Sequence, residues 1–503
     1  MTGPASATEL SRRELVALLG GGLVVGAMGC TRKAAPARGG QPLADPIHFS
    51  SAIAIRDAIA AGTLSSEEIT RVFLERIEAV NPALNAVVQL DAAGALERAR
   101  QADMARARGE SFGPLHGVPM TIKDSLDTAG VVSTGGTKGR AAFRPTVDAT
   151  VVARLKRAGA VLLGKTNTPE LTLSFETDNL IYGKTSNPYD LARTPGGSSG
   201  GAAAILAAGG SAFDIGSDYG GSIRLPSHFT GIAGIKPTTG RVPRTGHIYP
   251  FGGLTDTCQQ IGPMARSVRD LALLLPIIMG PDWVDPAIYP MPWGEPDAVD
   301  LASLAVAVHT DNGIATPTEA TVATVTAAAG ALRQRVARVD EARPAGVERS
   351  LEVGLPVYFW DGGAANRRLL AAAGTTEVSP ALAGFGGPAL DPTALDLAVD
   401  RWFQWRSGMA AIFERYDAIL CPVNAGPALP HGTTADPSTL AAFSYTISYN
   451  LTGWPGAVVR AGTSPEGLPI GVQIVARPGR EDVALALAGQ VEEALGGYRP
   501  PPA

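Results

Sequence analysis

The chain reads as an α/β protein in which helices pack on a sheet, and three features predict it. Segments of helical and of strand periodicity alternate along most of its length. Of its 503 residues 45% are hydrophobic, ample for a large buried core. No internal repeat or convincing linker interrupts residues 46–503, which are therefore read as one elaborate catalytic domain. Sixty glycines and 39 prolines are scattered among apolar runs, as in a loop-rich globular enzyme rather than a disordered chain.

The elements follow in chain order. Ser65-Ser66-Glu67-Glu68 has the capping-box pattern, with Ser65 as cap and Glu68 three places later. Ile69, Val72, Phe73, Ile77 and Val80 then recur at helical spacing, and Asn81-Pro82 predicts the stop. A second helix is predicted over 92–108, before the loop FGPLHG. In VPMTIKD, Val118, Met120 and Ile122 face one way and Thr121 and Lys123 the other, the period of a strand. A helix over 150–158 and a short buried strand at Val161-Leu162-Leu163 come next. The small apolar run Ala202 to Ala208 suits a close-packed helix. Strands near 418–421 and 470–475 precede a helix opened by Glu481-Asp482, with Val483, Leu487, Val491 and Leu495 inward.

The N-terminus has a different character. Ser11-Arg12-Arg13 precedes an apolar, glycine-bearing run of 14 residues, Leu15 to Met28, too short to span a bilayer comfortably. Residues 1–30 therefore read as a signal, and the arginine pair resembles a twin-arginine export signal. Ala27-Met28-Gly29-Cys30 is similar to a lipoprotein cleavage site, imperfect at Met28; a lipidated Cys30 would anchor the protein to a membrane. Residues 31–45 form a flexible tether. The expectation is an exported protein, periplasmic or at the cell surface.

The net charge of −5, with no dense Lys/Arg run, argues against a nucleic-acid partner. Three cysteines, Cys30, Cys258 and Cys421, imply no disulfide framework. Without a Cys-x-x-Cys or His-Glu-x-x-His pair, neither metal nor cofactor is expected.

Two motifs mislead. Gly159-AVLL-Gly164-Lys165-Thr166 matches the phosphate-loop pattern, but Ala160–Leu163 are apolar and read as a strand with the glycines at its ends. Gly196-Gly197-Ser198-Ser199-Gly200 matches the nucleophile elbow of α/β-hydrolases. An elbow needs an apolar strand before it, and KTSNPYDLARTP is a polar loop; His431 could complete a triad, but nothing positions it.

The chemistry is concentrated in two glycine-serine clusters, PGGSSGG and DYGGSIR. Gly220-Gly221 before Ser222 leaves several backbone N–H groups uncovered, as an oxyanion hole requires. Serine needs a base. His228 is near Ser222 in sequence and His116 near Lys123, and a Ser–His pairing through His228 stays open. The alternative is Lys123 itself, at the end of an apolar strand, where burial would depress its pKa and leave a neutral amine.

These residues carry a resemblance. GVPMTIKD (117–124), PGGSSGGAAAILAAGG (195–210) and DYGGSIRLPS (218–227) are similar to the blocks of the amidase signature family, and Ser198 and Ser222, 24 residues apart, have that family's serine spacing. GIKPTTGRVP (234–243), the GP-x-AR-S-x-x-D pattern at 262–270 and LPIGVQIVARPGRED (468–482) extend the likeness to essentially everything after about residue 50. The resemblance implies a large mixed central β-sheet flanked by helices on both faces. It implies a Ser–cis-Ser–Lys triad, with Ser222 as nucleophile, Ser198 as bridge after a cis Gly197–Ser198 bond, and Lys123 as base. It implies an oxyanion hole from the N–H groups of Tyr219, Gly220, Gly221 and Ser222, with Ser199, Asp218 and Arg224 in support. Many relatives carry isoleucine where Tyr219 stands. The expected partner is a small, uncharged or hydrophobic amide. The aromatic segments Val357–Trp360 and Trp402–Trp405 are candidates for an apolar acyl pocket. Two rivals stay open: a catalytically silent envelope lipoprotein and a histidine-assisted esterase.

Overall fold

The computed structural model describes residues 42–502. The predicted signal with Cys30, and the tether up to residue 41, lie outside the described residues. Among the described residues eleven strands join one mixed sheet. They are β1 Val87–Leu90, β2 Pro119–Lys123, β3 Val161–Thr166, β4 Phe213–Asp218, β5 Ala233–Lys236, β6 Gln260–Ala265, β7 Ala305–Val308, β8 Arg338–Glu341, β9 Ala418–Pro422, β10 Gly456–Thr463 and β11 Pro469–Ala476. Their spatial order is β1-β3-β2-β4-β6-β5-β10-β11-β9-β7-β8. The pairs β3–β2, β2–β4, β9–β7 and β7–β8 run parallel and the others antiparallel.

The strand period sorts side chains onto two cores. On β11, Val472, Ile474 and Ala476 join one hydrophobic cluster, which the helices Val268–Ile278 and Glu481–Leu495 cover with Leu271, Leu274, Val483 and Leu487. Val475 between them joins the opposite cluster, with Leu225 and Phe229 of the helix Arg224–Thr230 and Trp402 of the helix Pro392–Ala410. On β9, Ala418 and Leu420 face the first cluster and Ile419 and Cys421 the second. Helices therefore flank both faces, as the resemblance implied.

Two boundaries differ from the sequence expectation. The helix from Ser66 runs through Pro82 to Leu84 rather than stopping at Asn81. Its end is set by Asn85, left-handed at φ 50°, while the Asn81 side chain accepts the N–H groups of Ala86 and Val87 at 2.8 Å. The Ser65–Glu68 capping box is formed. The strand at Val161 continues past Leu163 to Thr166, because β1 and β2 pair with it on both sides as far as Thr166. Gly164 thus lies inside a strand, and the Lys165 amine is buried against the Leu126 carbonyl and Thr128 Oγ1, which removes the phosphate-loop reading.

The topology places the chemistry. β2 and β4 are adjacent and parallel, with Met120 opposite Phe213. Lys123 ends β2, and Ser217 and Asp218 close β4. Residues at the carboxyl ends of neighbouring parallel strands meet at one edge of the sheet, the usual position of a site in such folds.

Candidate active site

Lys123 is fully buried, and its amine meets three hydroxyls: Ser198 Oγ at 2.7 Å, Ser199 Oγ at 2.9 Å and Ser217 Oγ at 3.0 Å. Burial pushes its pKa down to about 7, against the pull of Asp218 and Asp214 in the other direction. An ammonium stripped of water is disfavoured, so near pH 7 a substantial fraction of this amine is neutral. The Gly197–Ser198 peptide is cis. The helix Gly200–Ala207 that follows, rich in Gly and Ala, packs closely on its neighbours: a Cβ on Gly201 would lie 2.4 Å from the Asn167 backbone nitrogen.

The second cluster is organised around Asp218. Its carboxylate accepts the backbone N–H of Gly221 at 2.9 Å and of Ile223 at 3.1 Å, the Arg224 guanidinium at 3.0 Å through each of two nitrogens, and Asn450 Nδ2 at 2.7 Å. Burial alone would raise the Asp218 pKa; Arg224 and Asn450 outweigh it and hold the group at about 2. Arg224 is equally buried and also reaches Asn450 Oδ1 at 2.6 Å and the Thr446 carbonyl at 3.0 Å. Asp218 and Arg224 thus brace the turn that carries Ser222.

One expected donor is withdrawn. The Gly221 N–H is held by Asp218, so it is not free to meet a ligand. The N–H groups of Tyr219, Gly220 and Ser222 make no hydrogen bond among the described residues. The Ser199 N–H donates to the Ser222 carbonyl at 3.2 Å, stitching the two serine segments together. The Ser198 and Ser222 hydroxyls are not hydrogen-bonded to each other.

Ser222 and Gly220 open onto a cavity of about 140 Å³. Its walls include Phe175, Tyr219, Tyr249, Tyr358, Phe359 and Ile447. Of the two aromatic segments expected to line it, only the first does. Trp402 and Trp405 are core residues, their indole N–H groups donated to the carbonyls of Leu451 and Gly346.

The histidines fall elsewhere. His228 is buried with both ring nitrogens taken by backbone, Nδ1 accepting from the Gly471 N–H at 2.8 Å and Nε2 lying 2.9 Å from the Gly426 carbonyl. It makes no bond to Ser222, which leaves the histidine-assisted reading without its base. His431 pairs with Glu176 at 2.8 Å, and His116 is tied to the Phe112 N–H and the Ala102 carbonyl. The residue that sequence reasoning missed is His247, whose Nε2 lies 3.0 Å from Ser217 Oγ. Neither Ser217 nor His247 belongs to a recognisable motif; the only signal was a hydroxyl on the Lys123-facing side of a strand.

A parallel-edge site with a buried lysine among serines, beside a glycine turn of free N–H groups, defines a hydrolase of amides. The chain belongs to the amidase signature family: the family model described as Amidase matches residues 68–485. It is 36% identical over 490 residues to a glutamyl-tRNA(Gln) amidotransferase component from Salinispora tropica, covering 90% of this chain and 98% of that one. It is 35% identical over 468 residues to an acylamidase of Rhodococcus erythropolis, covering 89% and 95%. A solved 6-aminohexanoate cyclic dimer hydrolase, complexed with substrate, matches with a TM-score of 0.80 at 28% identity, over 90% of this chain and 99% of that one.

Proposed function

We propose that the chain hydrolyses a small uncharged or hydrophobic carboxamide through an acyl-enzyme on Ser222. The observation that carries this reading is the buried Lys123 amine, 2.7 Å from Ser198 Oγ and brought to about 7 by burial. Neutral Lys123 takes a proton from Ser198, and Ser198 takes one from Ser222 as its oxygen attacks the amide carbon. For this Ser222 must turn onto Ser198, an alignment that commonly tightens only when substrate is bound. The N–H groups of Tyr219, Gly220 and Ser222 receive the oxyanion, and losing one such donor typically costs about 3–4 kcal/mol. The relay then reverses, delivering a proton to the departing amine, since an amide anion is a very poor leaving group. Water hydrolyses the ester by the same route.

The cavity supports an apolar acyl group. Its volume of about 140 Å³ is close to the roughly 150 Å³ that accommodates benzene in an engineered protein core. Export, through the arginine-paired segment, would place the activity outside the cytoplasm. A fluorophosphonate, with a panel of primary, anilide and peptide amides, tests the reading. Labelling and turnover are expected in the wild type and absent in Ser222→Ala. A wild-type protein that neither labels nor turns over any amide would favour the silent lipoprotein, and a Ser222→Ala variant that retains turnover would sink the assignment.

A further inference from the structure

Resting on that reading of Ser222, we propose that Tyr358 is a positioning residue for the oxyanion: its phenol turns the Tyr219–Gly220 peptide so that the Gly220 N–H faces the cavity. In a trans peptide the C=O and N–H point in opposite directions, so an anchor on a carbonyl aims the next residue's N–H. The segment is anchored carbonyl by carbonyl. The Asp218 carbonyl accepts from Asn450 Nδ2 at 3.3 Å, and the Gly220 carbonyl from Thr446 Oγ1 at 2.7 Å. The Gly221 carbonyl accepts from the Leu225 N–H at 2.7 Å. The Tyr219 carbonyl accepts from the Tyr358 phenol at 2.7 Å.

The Thr446 anchor shows the rule at work: with the Gly220 carbonyl held on one side, the Gly221 N–H emerges on the other and reaches Asp218. By the same geometry the Tyr358 anchor directs the Gly220 N–H away from Tyr358. That N–H has no partner among the described residues, and Gly220 lines the cavity beside Ser222. Glycines at 220 and 221 leave the backbone little resistance of its own to a peptide flip, so the tether is needed.

Tyr358 is well placed to hold it. It ends the helix Ser350–Tyr358, outside the blocks that carry the family likeness. Its ring meets the Tyr219 ring edge-on, with centroids 5.0 Å apart and planes at 86°. The Tyr219 phenol is itself donated to Thr255 Oγ1, so both rings are fixed at their tips.

Tyr358→Phe keeps the ring and removes the tether. Deleting an oxyanion donor outright lowers kcat about 10²–10³-fold; a donor merely released still samples its orientation, so the expected fall is about 10- to 100-fold in kcat, with KM within about 2-fold. Affinity for a trifluoromethyl ketone, whose tetrahedral adduct carries the oxyanion, is expected to fall in parallel. A variant with wild-type kcat and ketone affinity, or one whose only change is a raised KM, would overturn the proposal and leave Tyr358 as a wall of the cavity. Ser222→Ala, measured alongside, separates the two levels: if it retains turnover the underlying mechanism fails, whereas if it is dead and Tyr358→Phe is normal only the tether fails.

Discussion

His247 Nε2 lies 3.0 Å from Ser217 Oγ, and the groups behind the ring bear on which of them donates. His247 Nδ1 is met by two donors, the Tyr249 N–H at 3.1 Å and Gln259 Nε2 at 2.9 Å, and lies 3.0 Å from one acceptor, the Tyr249 carbonyl; the tautomer that satisfies both donors puts the ring proton on Nε2 and gives it to Ser217. Burial, then Lys123, Arg244 and Arg140, hold the His247 pKa down at about 3, so the ring stays neutral while Lys123 titrates. A hydroxyl oxygen already receiving one proton is a poorer acceptor for the Lys123 ammonium 3.0 Å away, which favours the neutral amine.

His247→Leu removes that donor, and the acid limb of the kcat/KM profile is expected to move to higher pH. A net hydrogen-bond contribution of about 0.5–1.5 kcal/mol corresponds to a shift of about 0.4–1 pH unit. His247→Gln, which carries an N–H at similar reach, is expected to return the limb toward its wild-type position. An unmoved limb in His247→Leu would show that the ring does not tune the lysine.

The buried lysine also predicts a stability signature. In the unfolded chain its amine titrates near 10.4, and in the folded chain near 7. Between these values the unfolded state binds a proton that the folded state does not, so stability rises with pH. The penalty is absent above about 10.5, grows as pH falls and is complete below about 7. Lys123→Met is expected to abolish turnover and to remove this contribution. Its stability relative to wild type should then decline by about 1.4 kcal/mol per pH unit on going from pH 7 to 9, read from urea unfolding at each pH. Parallel curves would show that the wild-type lysine is charged in the folded protein.

Asp218 predicts the opposite experiment, in acid. Its pKa of about 2 lies below the unfolded value near 3.9, so its contribution is fully present above about pH 4 and is lost as pH falls through 2. Asp218→Ala leaves the buried Arg224 guanidinium without its carboxylate, a change that typically costs about 3–5 kcal/mol. Urea unfolding at pH 7 is expected to show that loss, and the gap to wild type should narrow below pH 4. A gap unchanged at pH 3 would mean that the pair is not what Asp218 contributes.

What the sequence disclosed of this site follows from distance along the chain. Lys123, Ser198 and Ser222 sit in short runs whose glycines and alternating apolar residues are local signals, and the spacing of 24 links the two serines. Ser217 and His247 meet only because β4 ends beside β2 and the loop after β5 folds back over both; a single serine and a single histidine carry no local mark of that. The same limit separates Tyr358, at the cavity, from Trp402 and Trp405, in the core: all three stand in aromatic-rich segments, and only packing tells them apart. The bond that holds the Gly221 N–H was likewise invisible, since a free N–H and one held by Asp218 look identical in GGS.

Gly221 predicts how little the turn tolerates. Its φ of 133° lies where only glycine is comfortable, and a Cβ there would stand 2.3 Å from Thr446 Oγ1 and 2.7 Å from Thr446 Cβ. Neither atom can yield cheaply, because that hydroxyl holds the Gly220 carbonyl at 2.7 Å. Gly221→Ala must therefore either displace Thr446, releasing the anchor that aims one N–H, or rotate the turn and move Ser222. Both routes strike the geometry of the oxyanion segment, so kcat is expected to fall by about 100-fold or more. The double variant Gly221→Ala/Thr446→Ala relieves the contact with the hydroxyl but neither the backbone strain nor the lost anchor, so it is expected to remain impaired. Recovery of near wild-type kcat in the double variant would show that crowding alone, and not the orientation of the peptide, fixes this residue as glycine.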